Sequence, residues 1–140
     1  MKILAIETSC DETGVAIVDG VKTSNGYSFE VVSNALSSQA SLQAAYGGVY
    51  PNLAKREHEK NLPVIFAQAL GDISPSTIDA IAVTQGPGLE PALWQGITFA
   101  QKLSKEWEKP LLPMNHMEGH LISSLIRHSN ILQNVRMSYK

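Results

Sequence analysis

The chain has 140 residues, and 44% of them are hydrophobic. A chain of this length can form one domain that buries about two thirds of the surface of the unfolded chain without disulfides. Its 11 basic and 13 acidic residues give a net charge of −2, which excludes a chain-wide basic surface for nucleic acid or anionic membrane. The single cysteine, Cys10, excludes an internal disulfide, and no segment has the pattern of a signal peptide or a membrane span, so we expect a cytoplasmic protein.

Three strands are predicted first. The aliphatic runs KILAIET (2–8) and TGVAIVDG (13–20) are typical of strands buried on both faces. The polar segment between them is too short for a parallel crossover, so the two runs should form an antiparallel hairpin. An Asn-Gly turn at 25–26 and the run FEVVSNALSS (29–38) predict a third strand that completes a meander.

A helix follows, with Pro51 suited to its first turn and Gly71 at its end. Pro63 lies inside it and is expected to kink or interrupt the helix, because proline lacks the amide that bonds four residues back. The helix carries one apolar stripe, formed by Leu53, Leu62, Ile65, Phe66, Ala69 and Leu70.

The remaining pattern alternates strands and helices. It predicts a strand over 77–86, a helix over 89–109 that stops before Pro110, a short fifth strand over 110–115 and a third helix over 116–128. The order β-β-β-α-β-α-β-α predicts an α/β fold with a mixed five-stranded sheet, the ribonuclease H-like arrangement of each lobe of actin-like proteins. We expect this lobe to span residues 1–128, with a tail over 129–140.

Two turns are candidate binding loops. In ETSCDETG (7–14), Glu7 and Asp11 offer carboxylates, and Thr8, Ser9 and the turn amides can hold a phosphate. The alternative is a hairpin turn that satisfies its own backbone. Cys10 has no evident base to activate it as a nucleophile. In TQGPGLEPAL (84–93), Gly86 and Gly88 allow a ligand to approach the following helix amides, although a plain strand-to-helix turn would look the same.

The segment MNHMEGHL (114–121) is a candidate metal site. In a helix, His116 and His120 lie about 40° apart in projection and one turn apart, so both can face one metal ion, whereas Glu118 points about 200° away from His116. Glu118 lies three residues after Asn115, which is the pattern of a capping box. The alternative is that both histidines are ordinary residues of a helix start.

Four of these segments together resemble the amino-terminal part of the TsaD family. They are ILAIETSCDETGVAIVDG, YGGVYPNLAKREHEKNLPVI, IDAIAVTQGPGLEPALWQG and PLLPMNHMEGHLISSL, in the family's order. The resemblance implies an actin-like, two-lobed enzyme that transfers threonylcarbamoyl from threonylcarbamoyl-adenylate to N6 of adenosine 37 in tRNAs that read codons starting with A.

The resemblance also implies a site and partners. His116 and His120 would hold an iron or zinc ion together with an aspartate of the second lobe, and the first loop would supply the candidate catalytic residues, which are Glu7, Ser9, Asp11 and Glu12. The implied partners are tRNA, threonylcarbamoyl-adenylate, a TsaB-like paralogue and accessory proteins, with no membrane.

Family members are longer than this chain, and their substrate loop and second lobe are not found in its sequence. We therefore interpret the chain as an amino-terminal lobe that is inactive alone. One alternative is a binding module that uses the apolar stripe of the first long helix to pair with a TsaB-like partner. A homodimer of the lobe is also expected, because surface that faces the second lobe would be exposed. A metalloprotease is a weaker alternative, because Glu118 is at the wrong offset from His116 for a zincin base.

Overall fold

The computed structural model describes residues 1–24, 26–123 and 127–128. Within these ranges the chain forms six strands, four α-helices and one 3-10 turn at Pro75–Thr77. In chain order they are β1 (Lys2–Glu7), β2 (Glu12–Thr23), β3 (Gly26–Ser38), α1 (Ala40–Ala44), α2 (Pro51–Leu70), β4 (Ala80–Gly86), α3 (Glu90–Trp107), β5 (Leu111–Asn115), α4 (His116–Ser123) and β6 (Arg127–His128).

The described strands form one mixed sheet in the order β5-β4-β1-β2-β3-β6. Strands β1, β2 and β3 make the predicted antiparallel meander, and β4 and β5 continue the sheet in parallel from β1. The predicted α/β class and mixed sheet are therefore confirmed, and the described sheet has a sixth strand, β6, beyond the five that were predicted. Asn25, half of the predicted Asn-Gly turn, lies outside the described residues.

Helices α2 and α3 pack against each other and against one face of the sheet. Leu4 and Ile6 of β1 are buried on this face, while Ile3 and Ala5 on the other face are only partly buried. The prediction that β1 is buried on both faces is therefore wrong. The second face of β1 stays partly exposed because α4, the helix on that side, contacts mainly β4 and β5. The core side chains, each worth about 1.5–3 kcal/mol when fully buried, include Leu4, Ile6, Val15, Ile17, Leu62, Ile65, Ile78, Ile81, Val83 and Leu103.

Helix α2 continues without a break through Pro63, so the predicted interruption does not occur. Proline at this position removes the amide that would bond to the carbonyl of Glu59. Both Pro63 and Glu59 are exposed, so water can reach the carbonyl that proline leaves unpaired. A solvent-facing proline is therefore compatible with a continuous helix here.

The apolar stripe of α2 faces the interior of the lobe. Leu62 and Ile65 are buried, and Phe66 packs edge-on against Phe99 of α3 with ring centroids 5.5 Å apart. A surface that is already packed against the core cannot also receive a partner. The hypothesis that this stripe forms a docking surface is therefore wrong.

Two short elements differ from the prediction. The five-residue helix α1 was not predicted, because it is brief and the side chain of Gln39 before it makes no capping hydrogen bond. Helix α4 is described over His116–Ser123, and Arg127–His128, predicted as helix, pair in parallel with Glu30 and Val31 of β3. Residues 124–126 of the predicted helix and the predicted tail over 129–140 lie outside the described residues. No helix among the described residues is both long and apolar enough to cross a membrane.

Candidate metal centre

Three neighbouring strands bring distant side chains to one edge of the sheet. Strand β1 ends at Glu7, its parallel neighbour β4 passes through Thr84, and β5 ends one residue before His116. Parallel strands carry their carboxyl ends to the same edge, which is where open α/β sheets bind ligands. Glu7 is therefore adjacent to Thr84 and His116, which follow it by 77 and 109 residues.

Asn115 fixes the start of α4. Its Oδ1 atom accepts hydrogen bonds from the amides of Met117 at 2.9 Å and Glu118 at 3.2 Å, which confirms the predicted cap. The reciprocal half of the capping box, from the Glu118 carboxylate to the Asn115 amide, is absent among the described hydrogen bonds. Asn115 is also the last residue of β5, so one residue sets both the end of the strand and the direction of the helix.

His116 and His120 face each other on α4. Their Nε2 atoms lie 3.0 Å apart, and their rings meet edge to face with centroids 4.5 Å apart. Two imidazole nitrogens at about 2.0–2.1 Å from one tetrahedral zinc ion would be about 3.3 Å apart, so the pair needs only a small adjustment to share a cation.

The histidine pair is at most part of a metal site. Within residues 1–123 no group of three or more His, Cys, Asp and Glu side chains is placed to hold a metal ion. Structural and catalytic zinc sites use at least three protein ligands. His116 and His120 therefore fit a cation as two nitrogen donors, and a complete site needs a further ligand.

Glu7 lies behind the His116 ring and is held on both carboxylate oxygens. Its Oε1 atom accepts the Ser9 amide at 2.5 Å, and its Oε2 atom accepts the Thr84 hydroxyl at 2.5 Å and lies 3.3 Å from His116 Nδ1. Burial by itself raises the pKa of Glu7, but the hydrogen bonds from Ser9, Thr84 and His116 outweigh it and hold the pKa below its usual value. Glu7 is therefore a carboxylate at neutral pH.

Donors from three separate elements hold the loop that follows β1. The carbonyl oxygens of residues 9, 10 and 11 accept hydrogen bonds from the Leu89 amide (2.7 Å), the His58 ring (3.1 Å) and the Gln39 amide (2.8 Å), respectively. Ser9, which is nearly fully buried, places its hydroxyl 3.2 Å from His116 Nδ1. The loop is therefore fixed against the histidine pair and against the start of α3.

His58 is a functional candidate that the sequence reasoning missed. It is fully buried in α2, with Nε2 against the Cys10 carbonyl and Nδ1 2.8 Å from the Thr13 hydroxyl. Because a carbonyl only accepts, Nε2 carries the proton and Nδ1 accepts from Thr13. Burial lowers the pKa of His58 despite the opposing effects of the Cys10 carbonyl, Glu7 and Asp11. Its place on the buried side of α2, four residues before Leu62, was the available signal.

The remaining candidate residues of the loop differ in whether they contact the histidine pair. Partial burial and the neighbouring Asp11 raise the pKa of the Cys10 thiol, which is unfavourable for a nucleophile. Ser9 joins Glu7 beside His116, whereas Asp11 and Glu12 make no hydrogen bond to either histidine among the described contacts. Asp11 is partly buried and Glu12 is exposed at the start of β2.

The two predicted ligand-binding glycines have different surroundings. A Cβ atom at Gly88 would lie 2.6 Å from the carbonyl oxygen of Ser9, so glycine is required there for contact between the two loops. Gly86 has a φ of 153° and open space where a Cβ would be. Both glycines lie at the site edge, immediately before α3, and binding of a ligand by them remains a prediction.

Comparison with known families gives one consistent match. Residues 30–134 match the family model described as TsaD: tRNA N6-adenosine threonylcarbamoyltransferase. The chain is 44% identical over 128 residues to the tRNA N6-adenosine threonylcarbamoyltransferase of Magnetococcus marinus, covering 90% of this chain and 36% of that protein. It is 48% identical to the protein of the same description from Aromatoleum aromaticum, again covering 90% of this chain and 35% of that one. The chain thus spans about a third of the length of the curated relatives it matches.

Solved structures share the fold at low sequence identity. YeaZ from Pseudomonas aeruginosa superposes with a TM-score of 0.52 at 20% identity, over 81% of this chain and 42% of that one. The structure of RuvC from Thermus thermophilus superposes with a TM-score of 0.52 at 12% identity, over 89% of this chain and 69% of that one. These neighbours support the ribonuclease H-like, actin-like fold and carry no further inference.

Proposed function

The chain belongs to the TsaD family, and from this membership we propose that it forms the metal-binding amino-terminal lobe of a tRNA N6-adenosine threonylcarbamoyltransferase. The complete enzyme would transfer threonylcarbamoyl from threonylcarbamoyl-adenylate to N6 of adenosine 37 in tRNAs that read codons starting with A. The proposal includes a cytoplasmic location, since the tRNA substrate is found there.

One observation carries the proposed role of the lobe. The Nε2 atoms of His116 and His120 are 3.0 Å apart on one helical face, beside a loop whose carbonyls are held from three directions. A pair of ring nitrogens with this spacing is suited to an iron or zinc ion. The third ligand would come from outside the described residues, and the resemblance suggests an aspartate of a second lobe.

Three parts of the lobe would have different roles in the reaction. A cation held by His116 and His120 would act as a Lewis acid that orients the adenylate and polarises its carbonyl group. The loop at Ser9 would position the acyl group beside that centre, since its backbone is fixed. The backbone at Gly86, where a Cβ atom would have open space, and at Gly88 would lie close to the negatively charged phosphate of the adenylate at the start of α3.

The experiment pairs metal analysis with transfer. The protein expressed from its complete gene is purified, its iron and zinc are measured, and transfer of labelled threonylcarbamoyl to tRNA is followed. We expect His116→Ala and His120→Ala each to lose most of the metal and the transfer activity. Glu118→Gln, on the same helix, is the matched control and should retain both. Full metal content and activity in both histidine variants would contradict the proposal.

The lobe taken alone provides a second test. We expect residues 1–140 to fold but not to transfer threonylcarbamoyl, because the two histidines are an incomplete ligand set within the described residues. Transfer by the purified 140-residue chain at the rate of the complete protein would contradict this part of the proposal.

We also propose that the complete enzyme binds a TsaB-like partner and accessory proteins. The surface proposed for the TsaB-like partner is not the apolar stripe of α2. Tyr46 and Tyr50 are 63% and 47% exposed, and their rings stack with centroids 5.6 Å apart between α1 and the start of α2. Exposed aromatic residues are enriched at protein interfaces. Tyr46→Ser with Tyr50→Ser should abolish co-purification with that partner, while Val64→Ser, an exposed apolar control on α2, should not. Sedimentation of each protein alone separates this pairing from a homodimer.

A further inference from the structure

We propose that Glu7 is the carboxylate that orients His116 for cation binding, and that it is a positioning residue rather than the base of the transfer reaction. The inference rests on the proposed function, because it concerns the same histidine pair. It follows from the contacts on the two sides of the His116 ring.

The first step concerns the proton on the His116 ring. Nδ1 lies 3.3 Å from Glu7 Oε2 and 3.2 Å from Ser9 Oγ, and Nε2 lies 3.0 Å from His120 Nε2. A carboxylate accepts and does not donate, so Nδ1 carries the hydrogen atom and donates toward Glu7. Nε2 is then left with a free lone pair directed at the face shared with His120, which is the form of imidazole that binds a metal ion.

The second step is the rigidity of the acceptor. The Ser9 amide donates to one oxygen of Glu7 and the Thr84 hydroxyl to the other, so the carboxylate cannot rotate freely. Glu7 is the last residue of β1 and Thr84 lies in the paired strand β4, so the site edge of the sheet fixes the position of Oε2. His116, at the first turn of an otherwise exposed helix, receives its ring orientation from this acceptor.

The third step excludes two other roles for Glu7. Its Oε2 atom lies on the Nδ1 side of the ring, whereas the candidate cation face is on the Nε2 side, so Glu7 is not the missing third ligand of that face. Both of its oxygens are also engaged by donors of the protein, namely the Ser9 amide, the Thr84 hydroxyl and His116 Nδ1, on the side of the ring away from the candidate cation face. Of the four candidate catalytic residues in the loop, Asp11 and Glu12 are then the carboxylates left for acid or base chemistry.

The primary experiment measures cation affinity with Co²⁺ and Zn²⁺ titrations of the protein from the complete gene. Glu7→Gln keeps the size of the side chain but removes the charge, and Glu7→Asp withdraws the carboxylate by one methylene. We expect both to bind Zn²⁺ about 10- to 100-fold more weakly, the usual effect of losing the carboxylate behind a ligating histidine. The Co²⁺ absorption spectrum should change as well. Thr84→Val, which removes a donor to Glu7 and leaves the His116 contact, should cost less than Glu7→Gln.

A measurement on the unaltered protein covers the case in which the Glu7 variants do not fold. In metal-free protein labelled with ¹⁵N-histidine, the nitrogen shifts of His116 should show the proton on Nδ1. A proton on Nε2 would overturn the inference, as would wild-type Zn²⁺ affinity in a folded Glu7→Gln. Failure of the proposed function is distinguishable, because His116→Ala and His120→Ala would then retain the metal.

Discussion

The protonated Nε2 atom of His58, in the middle of α2, donates to the carbonyl oxygen of Cys10 across 3.1 Å. The carbonyls on either side of Cys10 are held by backbone amides, so the His58 contact is the one that a side-chain substitution can remove. His58 touches neither His116 nor His120 in the described hydrogen bonds. It therefore links the helical layer to the loop without taking part in the candidate metal pair.

Replacing His58 with leucine should lower the free energy of unfolding by about 2–6 kcal/mol, since the Thr13 hydroxyl and the Cys10 carbonyl would each lose a buried partner, at about 1–3 kcal/mol per group. His58→Gln, which returns a donor near the position of Nε2, should recover part of the loss. Urea unfolding measures both, and Glu59→Gln, on the exposed face of α2, is the control. Equal stability of the leucine and glutamine variants would show that the hydrogen bond to the loop contributes nothing.

Stability should fall as the solution is acidified through the titration range of His58. Burial lowers the pKa of His58 below its ordinary 6.5, so the unfolded chain binds the proton more readily than the folded protein. The contribution of neutral His58 to the free energy of unfolding is therefore complete above the ordinary pKa. It decreases as the pH falls from the ordinary pKa toward the lowered pKa of the folded protein. Urea unfolding from about pH 7.5 to about pH 5 should show a steeper decline for the wild type than for His58→Gln. Parallel curves would contradict the assignment of this titration to His58.

Two glycine substitutions should have opposite effects. Gly88→Ala would place a Cβ atom 2.6 Å from the Ser9 carbonyl oxygen, so one of the two loops must move, at about 1–3 kcal/mol of stability. Gly119→Ala lies in α4 with nothing within 4 Å of its Cβ position and should be neutral or stabilising, by up to about 1 kcal/mol. Thermal unfolding compares the two directly. A Gly88→Ala protein as stable as the wild type would show that the contact relaxes without cost.

Removing the cap of α4 should loosen the metal pair. Asn115→Ala deprives the amides of Met117 and Glu118 of their acceptor and should destabilise the helix start by about 0.5–2 kcal/mol. Because both histidines lie in this helix, Zn²⁺ affinity should fall, while Asn115→Asp, which can still cap, should bind nearly normally. An unchanged affinity in Asn115→Ala would show that the metal itself suffices to hold the histidines.

The sequence was most informative where a feature depends on neighbouring residues. The strand and helix order follows from local apolar periodicity, and the facing of His116 and His120 follows from a spacing of four residues within one helix. The Asn115 cap depends only on residues within the segment 115–118. Each of these is a local property of the chain, and each appears in the structure as the sequence pattern indicated, except for the short elements α1 and β6.

Features that depend on tertiary contacts were missed or misread. The role of His58 depends on Thr13 and Cys10, more than forty residues before it, and the contact of Glu7 with His116 spans 109 residues. Periodicity identified the apolar stripe of α2 but not what it packs against, so a core surface was taken for an interface. The aliphatic content of β1 also does not show whether helices pack on one face of the sheet or on both, so burial on both faces was wrongly expected.

The three hydrogen bonds to the carbonyls of residues 9–11 also imply an order in which the parts of the site form during folding. The β1–β2 hairpin can form by itself, but its loop acquires donors only when Gln39, His58 and Leu89 arrive with β3, α2 and the start of α3. Such non-local contacts form late, because the intervening chain must be closed first. In refolding, the amides of Gln39 and Leu89, which donate to this loop, should therefore become protected from hydrogen exchange after the β1–β2 ladder. In a chain emerging from the ribosome, His116 and His120 would leave the exit tunnel only after Gln39, His58 and Leu89, so the residues that hold this loop would be available before the histidine pair.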